Sequence, residues 1–294
     1  MKTPLFRARM SVSREQLDLM MEVLAVLEPP PTAWEDVETG VAWIETFDPD
    51  RRKLEERARA MADLVGSVDG RFHAAKIDRL MPEDWTESWK RFFRAARVSE
   101  RVVVCPPWEQ WPAEEGDVVV KIDPGLSFGT GLHPTTRACL QLLDRLAGSG
   151  CNLADRRLLD LGCGSGILAI TAAAFGCRDV VALDYDPTAV KATLNNIQLN
   201  GCDPQIFTVD RTDVLSDTLP QGEIVIANIL ASVLIEAAPR IAGAVRQSPD
   251  SALILSGILT SQFPQIMEAY APEGLQLVEA LTEAEWQTGL FRYG

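Results

Sequence analysis

The 294-residue sequence predicts an α/β fold, an open sheet of parallel strands alternating with helices, preceded by a smaller α+β domain. Three observations carry this expectation. An apolar, strand-like run (Arg157-Leu158-Leu159) leads into the turn Asp160-Leu161-Gly162-Cys163-Gly164-Ser165-Gly166 and then into a helix-like run, Ile167 to Phe175. Further apolar runs at 180–183, 205–209 and 222–227 repeat the strand rhythm, and strands alternating with helices build a parallel sheet covered on both faces. Residues 1 to 80 follow a different order, which divides the chain into two domains.

In the first domain, Leu5 to Met10 reads as a strand, and Ser13 could cap a helix to about Leu27 with apolar positions at 17, 20, 24 and 27. Pro29-Pro30-Pro31 stops it. Thr32 to Glu38 and Val41 to Phe47 predict a hairpin around Thr39-Gly40. Asp50 opens a helix to about Val65, with Leu54, Ala58, Met61 and Val65 on one face, and Arg71 to Ile77 is the last strand. The order βαββαβ is a ferredoxin-like split βαβ unit. Such sheets can bind RNA through exposed aromatics, and Trp43 and Phe47 share a face, but aromatics at such positions are more often core and the charge disfavours RNA.

Residues 81–96 form a connector rich in aromatics (Trp85, Trp89, Phe92, Phe93), and the second domain occupies 97–294. Val102 to Cys105 and Asp117 to Ile122 are expected strands over the entrance to the main sheet. Asp123-Pro124-Gly125-Leu126-Ser127-Phe128-Gly129-Thr130-Gly131-Leu132-His133-Pro134-Thr135-Thr136 is too rich in glycine, proline and small hydroxyl residues for a regular element. It is a shaped loop before a helix, with Thr135 or Thr136 offering hydroxyl and backbone donors at the helix start. Two roles are open for His133: a general base and a structural hydrogen-bonding group.

Gly162, Gly164 and Gly166 let the backbone turn sharply and approach a ligand closely. The spacing G-x-G-x-G departs from the dinucleotide pattern G-x-G-x-x-G, because Ile167 stands where the third glycine is needed. After the next strand come Asp184-Tyr185-Asp186-Pro187. Pro187 suits a first helical turn, so Asp186 is the expected cap and Asp184 the group that accepts hydrogen bonds from a ribose diol. Asp213, in competition with Asp210, could reach an adenine amine. Asn228 ends the fourth strand, where open α/β sheets bind ligands; a helix cap is its other reading.

The formal charge is -14, divided as -3 on residues 1–80 and -11 on residues 81–294. Such a surface repels free nucleic acid and suits a basic protein partner, with mere solubility as the plain alternative. No apolar run reaches the ~18 residues of a membrane helix, and no signal-peptide core is visible. Six cysteines without a C-x-x-C pair, and only two histidines, argue for reduced thiols in the cytoplasm and against a metal centre.

The turn D-L-G-C-G-S-G-I-L-A-I resembles the cofactor loop of S-adenosylmethionine-dependent methyltransferases. With the loop 123–136, A-N-I-L-A, D-W-x-x-x-W (Asp84, Trp85, Trp89), V-C-P-P-W (Val104 to Trp108), Ser256-Gly257-Ile258-Leu259 and Glu285-Trp286, the chain closely resembles the bacterial methyltransferases of large-subunit ribosomal protein eleven. The resemblance implies a seven-stranded, Rossmann-like class I methyltransferase domain behind a ferredoxin-like recognition domain. It implies S-adenosyl-L-methionine as cofactor, contacts at Thr136, Gly162, Asp184 and Asn228, and repeated methylation of lysine and N-terminal amines. A monomer is expected. Leu132 stands where the family commonly has Thr, and Ile229-Leu230 replaces the two prolines common in methyltransferases of amide or ring nitrogens. The competing readings are a lysine methyltransferase of another target such as a metabolic flavoprotein, a nicotinamide oxidoreductase, and a non-catalytic cofactor-binding module.

Overall fold

The computed structural model describes residues 5–13, 17, 20–21, 23–24, 27, 31–36, 41–66, 75–80, 93–123, 131–150 and 152–294. The chain divides into two compact units, residues 1–92 and 93–294. The expectations for the Thr39-Gly40 turn, for residues 81–92 of the connector and for residues 124–130 of the loop 123–136 lie outside the described residues.

In the first unit, β1 (Leu5–Ser13), β2 (Thr32–Asp36), β3 (Val41–Asp48), α1 (Arg51–Gly66) and β4 (Lys76–Leu80) follow one another. The strands form one antiparallel sheet in the order β2-β3-β1-β4. Alternation along β1 buries Ala8, Met10 and Val12, and α1 covers the sheet with Leu54, Ala58, Met61 and Val65. The Asp50 carboxylate accepts the Arg52 N–H at 2.9 Å and starts α1. Met20 and Leu24, both helical, join the same core. Ser13 pairs with Val41 as the last residue of β1, because the strand runs three residues further than its apolar pattern suggests. The described final strand is Lys76–Leu80, ending three residues past the expected end at Ile77, and residues 71–74 of the expectation lie outside the described set.

The opposite face of this sheet is charged. Arg7 pairs with Glu45 and Asp78, and Arg9 with Asp78. The Arg9 guanidinium stands 4.7 Å from the centroid of Trp43. Trp43 and Phe47 are half-buried, Trp43 on this charged face, not packed between sheet and helices.

The second unit opens with a small sheet of β5 (Ala96–Arg97), β6 (Val102–Cys105) and β7 (Val118–Lys121), followed by α2 (Pro134–Gly148). Asp144 of α2 accepts hydrogen bonds from Ser99 (2.6 Å) and from the Arg101 side chain (2.6 Å) and backbone (3.0 Å), tying helix to sheet. Burial alone would raise that carboxyl, and these hydrogen bonds together hold it below its ordinary value. Then come β8 (Arg157–Leu161), α3 (Ile167–Ala174), β9 (Asp179–Asp184), α4 (Pro187–Leu199) and β10 (Phe207–Arg211). The chain continues through β11 (Ile224–Asn228), α5 (Ala231–Glu236), α6 (Ala238–Ala244), β12 (Ala252–Leu259), α7 (Phe263–Tyr270), β13 (Leu275–Glu283) and β14 (Trp286–Tyr293). β10 starts two residues later than its pattern predicts, since Asp203 caps a short 3₁₀ turn at Pro204–Ile206.

The main sheet has seven strands among the described residues, in the order β10-β9-β8-β11-β12-β14-β13. It is mixed: β14 alone of these runs against its neighbours. Leu158 and Leu159 of β8 are fully buried on opposite faces, one toward α2 and α3, the other toward α5, α6 and α7. Each such side chain contributes about 1.5–3 kcal/mol by leaving water, which explains why the central strands read as unbroken apolar runs. Strand order reverses between β8 and β11, opening a crevice at their carboxyl ends. Among the described residues no helix is long and apolar enough to cross a membrane.

Candidate functional site

A cavity of about 680 Å³ lies at this switch point, lined by the ends of β8, β9 and β11, the start of α2, and β14. The glycine turn forms its floor. Gly162, Gly164 and Gly166 have φ of 76°, 54° and 78°, values that favour glycine. The amides of Gly162 and Cys163 donate to the Leu183 carbonyl at 2.8 and 3.0 Å, joining the turn to the end of β9. A Cβ on Gly162 would overlap the Ile229 side chain. Gly166 stands outside the cavity wall: a Cβ there would meet Thr193 of α4 at 2.8 Å, so packing rather than a ligand requires it.

The turn's polar groups are satisfied from α4, which sequence reasoning missed. Thr193 donates to the Gly164 carbonyl at 3.1 Å, and the Asn196 amide donates to the Ser165 carbonyl at 2.9 Å. Both side chains are buried, although their positions read as an ordinary polar helix face.

Asp186 takes the expected cap position. Asp186 caps α4 through the Thr188 amide at 2.7 Å. Asp184 ends β9, only 7 % exposed, and lines the cavity. Its Oδ2 accepts the Gly164 N–H at 2.9 Å and its Oδ1 the Asp186 N–H at 3.0 Å, which leaves lone-pair capacity on each oxygen. Asp213 also lines the cavity, and its Oδ1 accepts the Leu215 N–H at 2.9 Å. Asp210 lies exposed on β10, outside the wall.

Asn228, the last residue of β11, lines the cavity. It is not a helix cap, because the chain continues two residues and Leu230 takes the N-cap position of α5. Its amide nitrogen donates to the Thr136 hydroxyl at 3.3 Å, while its Oδ1 is buried with no hydrogen-bond partner among the described residues. Leaving a buried acceptor unpaired costs about 1–3 kcal/mol, which a ligand N–H or O–H recovers. His133 caps α2: its Nδ1 accepts the Thr135 backbone N–H and lies 2.8 Å from the Thr135 hydroxyl. That cap gives His133 a structural part at the start of α2. Its ring meets Trp286 edge to face at 5.1 Å. Tyr185 and Leu230, each 71 % exposed, and Leu215 bring apolar surface to the cavity.

Asp160, beneath the turn, is fully buried. Its Oδ2 accepts the Ala169 N–H of α3 at 3.1 Å and its Oδ1 has no partner among the described residues. Burial, with repulsion from Asp184, pushes its carboxyl up to about 7 against the lowering effect of that N–H. A folded-state value above the unfolded ~3.9 means the native protein binds this proton more tightly. The resulting stability is full below about pH 4 and is lost as pH rises toward 7. Asp160→Asn should therefore flatten the fall of Tm between pH 4 and 7, as measured by calorimetric melts; an unaltered slope would rule out Asp160 as the titrating group.

The family model for Ribosomal protein L11 methyltransferase (PrmA) matches residues 10–292. The chain belongs to this family. It is 36 % identical over 255 residues to the "Ribosomal protein L11 methyltransferase" of Heliobacterium modesticaldum, covering 85 % of this chain and 78 % of that one. The protein of the same name from Geotalea uraniireducens is 40 % identical over 256 residues, covering 85 % and 76 %. The crystal structure of a ribosomal protein L11 methylase from Lactobacillus delbrueckii subsp. bulgaricus superimposes with a TM-score of 0.60 at 28 % identity, over 69 % of this chain and all of that one. Membership in the ribosomal protein L11 methyltransferase family sets aside the nicotinamide oxidoreductase and the non-catalytic module.

A methyltransferase of this family uses S-adenosylmethionine, and the site fits a molecule of that kind. An acidic group with spare lone pairs suits a ribose diol, glycines without Cβ admit close approach, and apolar side chains beside Asp184 suit a base.

Proposed function

We propose that the protein transfers methyl groups from S-adenosylmethionine to lysine side-chain and N-terminal amines of ribosomal protein L11. Besides the family, the observation that carries this reading is the Oδ1 of Asn228, buried in the cavity wall with no partner among the described residues and able to accept from an N–H donor. Residues 1–80 serve as a ferredoxin-like recognition domain, 81–96 as connector and 97–294 as the catalytic domain. The antiparallel order β2-β3-β1-β4 supports the ferredoxin-like reading. The charge of -14 suits a basic ribosomal protein, and the protein acts as a cytoplasmic monomer without contacting nucleic acid.

Asp184 would hold the ribose, Gly162 and Gly164 would admit the chain of the cofactor, Thr136 would border its reactive end, and Asp213 would reach the base. Gly166 keeps the turn against α4. Bound S-adenosylmethionine supplies a methyl carbon already activated by positive sulfur. The protein has to align the nucleophile and exclude water. The lysine ammonium must first lose a proton, which desolvation in an apolar cavity favours. Asn228 Oδ1 then accepts an amine N–H and aims the nitrogen lone pair, while Thr136 fixes the amide so that oxygen faces the amine. His133 keeps the start of α2 in place without taking the proton.

The test is intact-mass spectrometry of recombinant ribosomal protein L11 after incubation with this protein and S-adenosylmethionine, followed by peptide mapping. Steps of one methyl on lysines and the N-terminus are expected. No gain, with cofactor binding intact by calorimetry, would move the target to another protein. Asn228→Ala removes one neutral hydrogen bond of about 0.5–1.5 kcal/mol, so kcat on L11 should fall up to about tenfold. Equal losses in kcat and in calorimetric cofactor affinity would instead assign Asn228 to the cofactor alone.

A further inference from the structure

Repeated methylation sets a problem that Asn228 does not solve. A neutral primary amine has two N–H donors and a secondary amine one, but a dimethylated amine has none. A lone acceptor oxygen can orient the first two nucleophiles and has no grip on the third. The substrate for the last transfer is an apolar tertiary amine that becomes a quaternary cation.

Trp286 is placed to meet it. It is the first residue of β14 and pairs with Leu259 of β12, three residues past Ser256, which stands opposite Asn228. Its side chain lines the same cavity as Asn228. The ring is oriented by its edge-to-face contact with His133, itself anchored as the cap of α2. Thr288, two residues along β14, is 2.6 Å from Ser256 Oγ, whose hydroxyl donates to the Thr135 carbonyl at 3.1 Å. That buried chain fixes the start of β14 against the start of α2.

We infer that Trp286 is the residue that carries the amine through its last methylation, through its indole face. This rests on the proposed methylation of protein amines. In each transfer the nitrogen lone pair forms the new N–C bond while the methyl's C–S bond breaks, its electrons staying on sulfur. The ammonium proton passes to water before the next transfer, and the quaternary product has none to lose. Positive charge develops on nitrogen in the transition state, and an indole face attracts a methylated ammonium more as that charge grows. In the first two transfers the Asn228 oxygen shares this role through N–H groups; in the third Trp286 acts without it.

The experiment is an intact-mass time course on recombinant ribosomal protein L11 with wild type, Trp286→Leu and Trp286→Phe, each checked for S-adenosylhomocysteine binding by calorimetry. Trp286→Leu should accumulate mono- and dimethyl product, the ratio of third to first transfer falling about tenfold, the scale of a desolvated cation–π contact. Trp286→Phe should recover most of the trimethyl product. An unchanged product distribution in Trp286→Leu would overturn the inference, as would an equal loss of all three transfers with S-adenosylhomocysteine binding intact. Wild type that stops at dimethyl product also overturns it while leaving the proposed function standing. Wild type that methylates nothing overturns the proposed function itself. Should Trp286→Leu fail to bind S-adenosylhomocysteine, Trp286→Met, which fills more of the volume without a π face, decides between the same outcomes.

Discussion

Replacing Gly257 by alanine lowers the rate of methyl transfer about 10²-fold, the scale of an ångström-sized misplacement at a reacting centre. Gly257 sits at the register shift in β12, next to Ser256, with φ 81°. It lines the cavity, and a Cβ built on it would overlap the carbonyl of Ile229 and crowd that residue's nitrogen at 3.2 Å. Those atoms are main chain, so no rotamer change relieves the clash. The Asn228–Leu230 segment has to move, and it carries Asn228 Oδ1, a buried oxygen with no partner among the described residues. The left-handed conformation adds about 1–2 kcal/mol of strain for any residue with a Cβ. The variant should therefore melt lower and lose kcat on L11 more than cofactor affinity, as steady-state kinetics and calorimetry will report. Wild-type kcat in Gly257→Ala would mean that the Asn228 segment does not set the rate.

Much of this site can be read along the chain, and what cannot has an identifiable cause. The glycine turn is legible because three glycines between an apolar strand and an apolar helix have few other uses. The separation of Asp184 from Asp186 is legible because Pro187 fixes where α4 begins. Gly166 shows the limit of that reasoning: the motif makes it look like a ligand contact, yet its missing Cβ makes room for Thr193, a residue on another element. Asn228 reads as either cap or ligand, and only the two further residues before α5 remove the cap. Thr193 and Asn196 hold the turn from α4 without a local signal, since polar residues on a helix are usually solvated. Trp286 arrives 58 positions after Asn228 because β14 inserts between β12 and β13, a topology no period encodes. In the first unit, the alternation of β1 and the face of α1 announce the core, whereas the Arg7, Arg9, Glu45 and Asp78 cluster depends on which strands lie side by side.

Replacing Asp184 by alanine weakens cofactor binding by about 1–3 kcal/mol, or up to roughly 10²-fold in Kd, the scale for hydrogen bonds to a charged acceptor. Two effects are combined in that number and can be separated. The carboxylate would receive hydroxyls of the ribose, and it already holds the amides of Gly164 and Asp186. Removing it leaves both amides without their acceptor, so the glycine turn keeps its bonds to the Leu183 carbonyl but loses this side-chain tie to the end of β9 even before any ligand binds. Asp184→Asn does not isolate the charge, since its NH₂ group would face one of the two backbone donors. Fragments do better. If the loss is in ribose contacts, adenosine and S-adenosylhomocysteine should lose the same free energy on Asp184→Ala, because both contain the ribose. If the loss comes from a loosened turn, the Tm of the ligand-free variant should drop, and S-adenosylhomocysteine, whose amino-acid part the glycines would admit, should suffer more than adenosine. Unchanged affinity for both would remove Asp184 from the site and leave its burial explained by the two backbone amides alone.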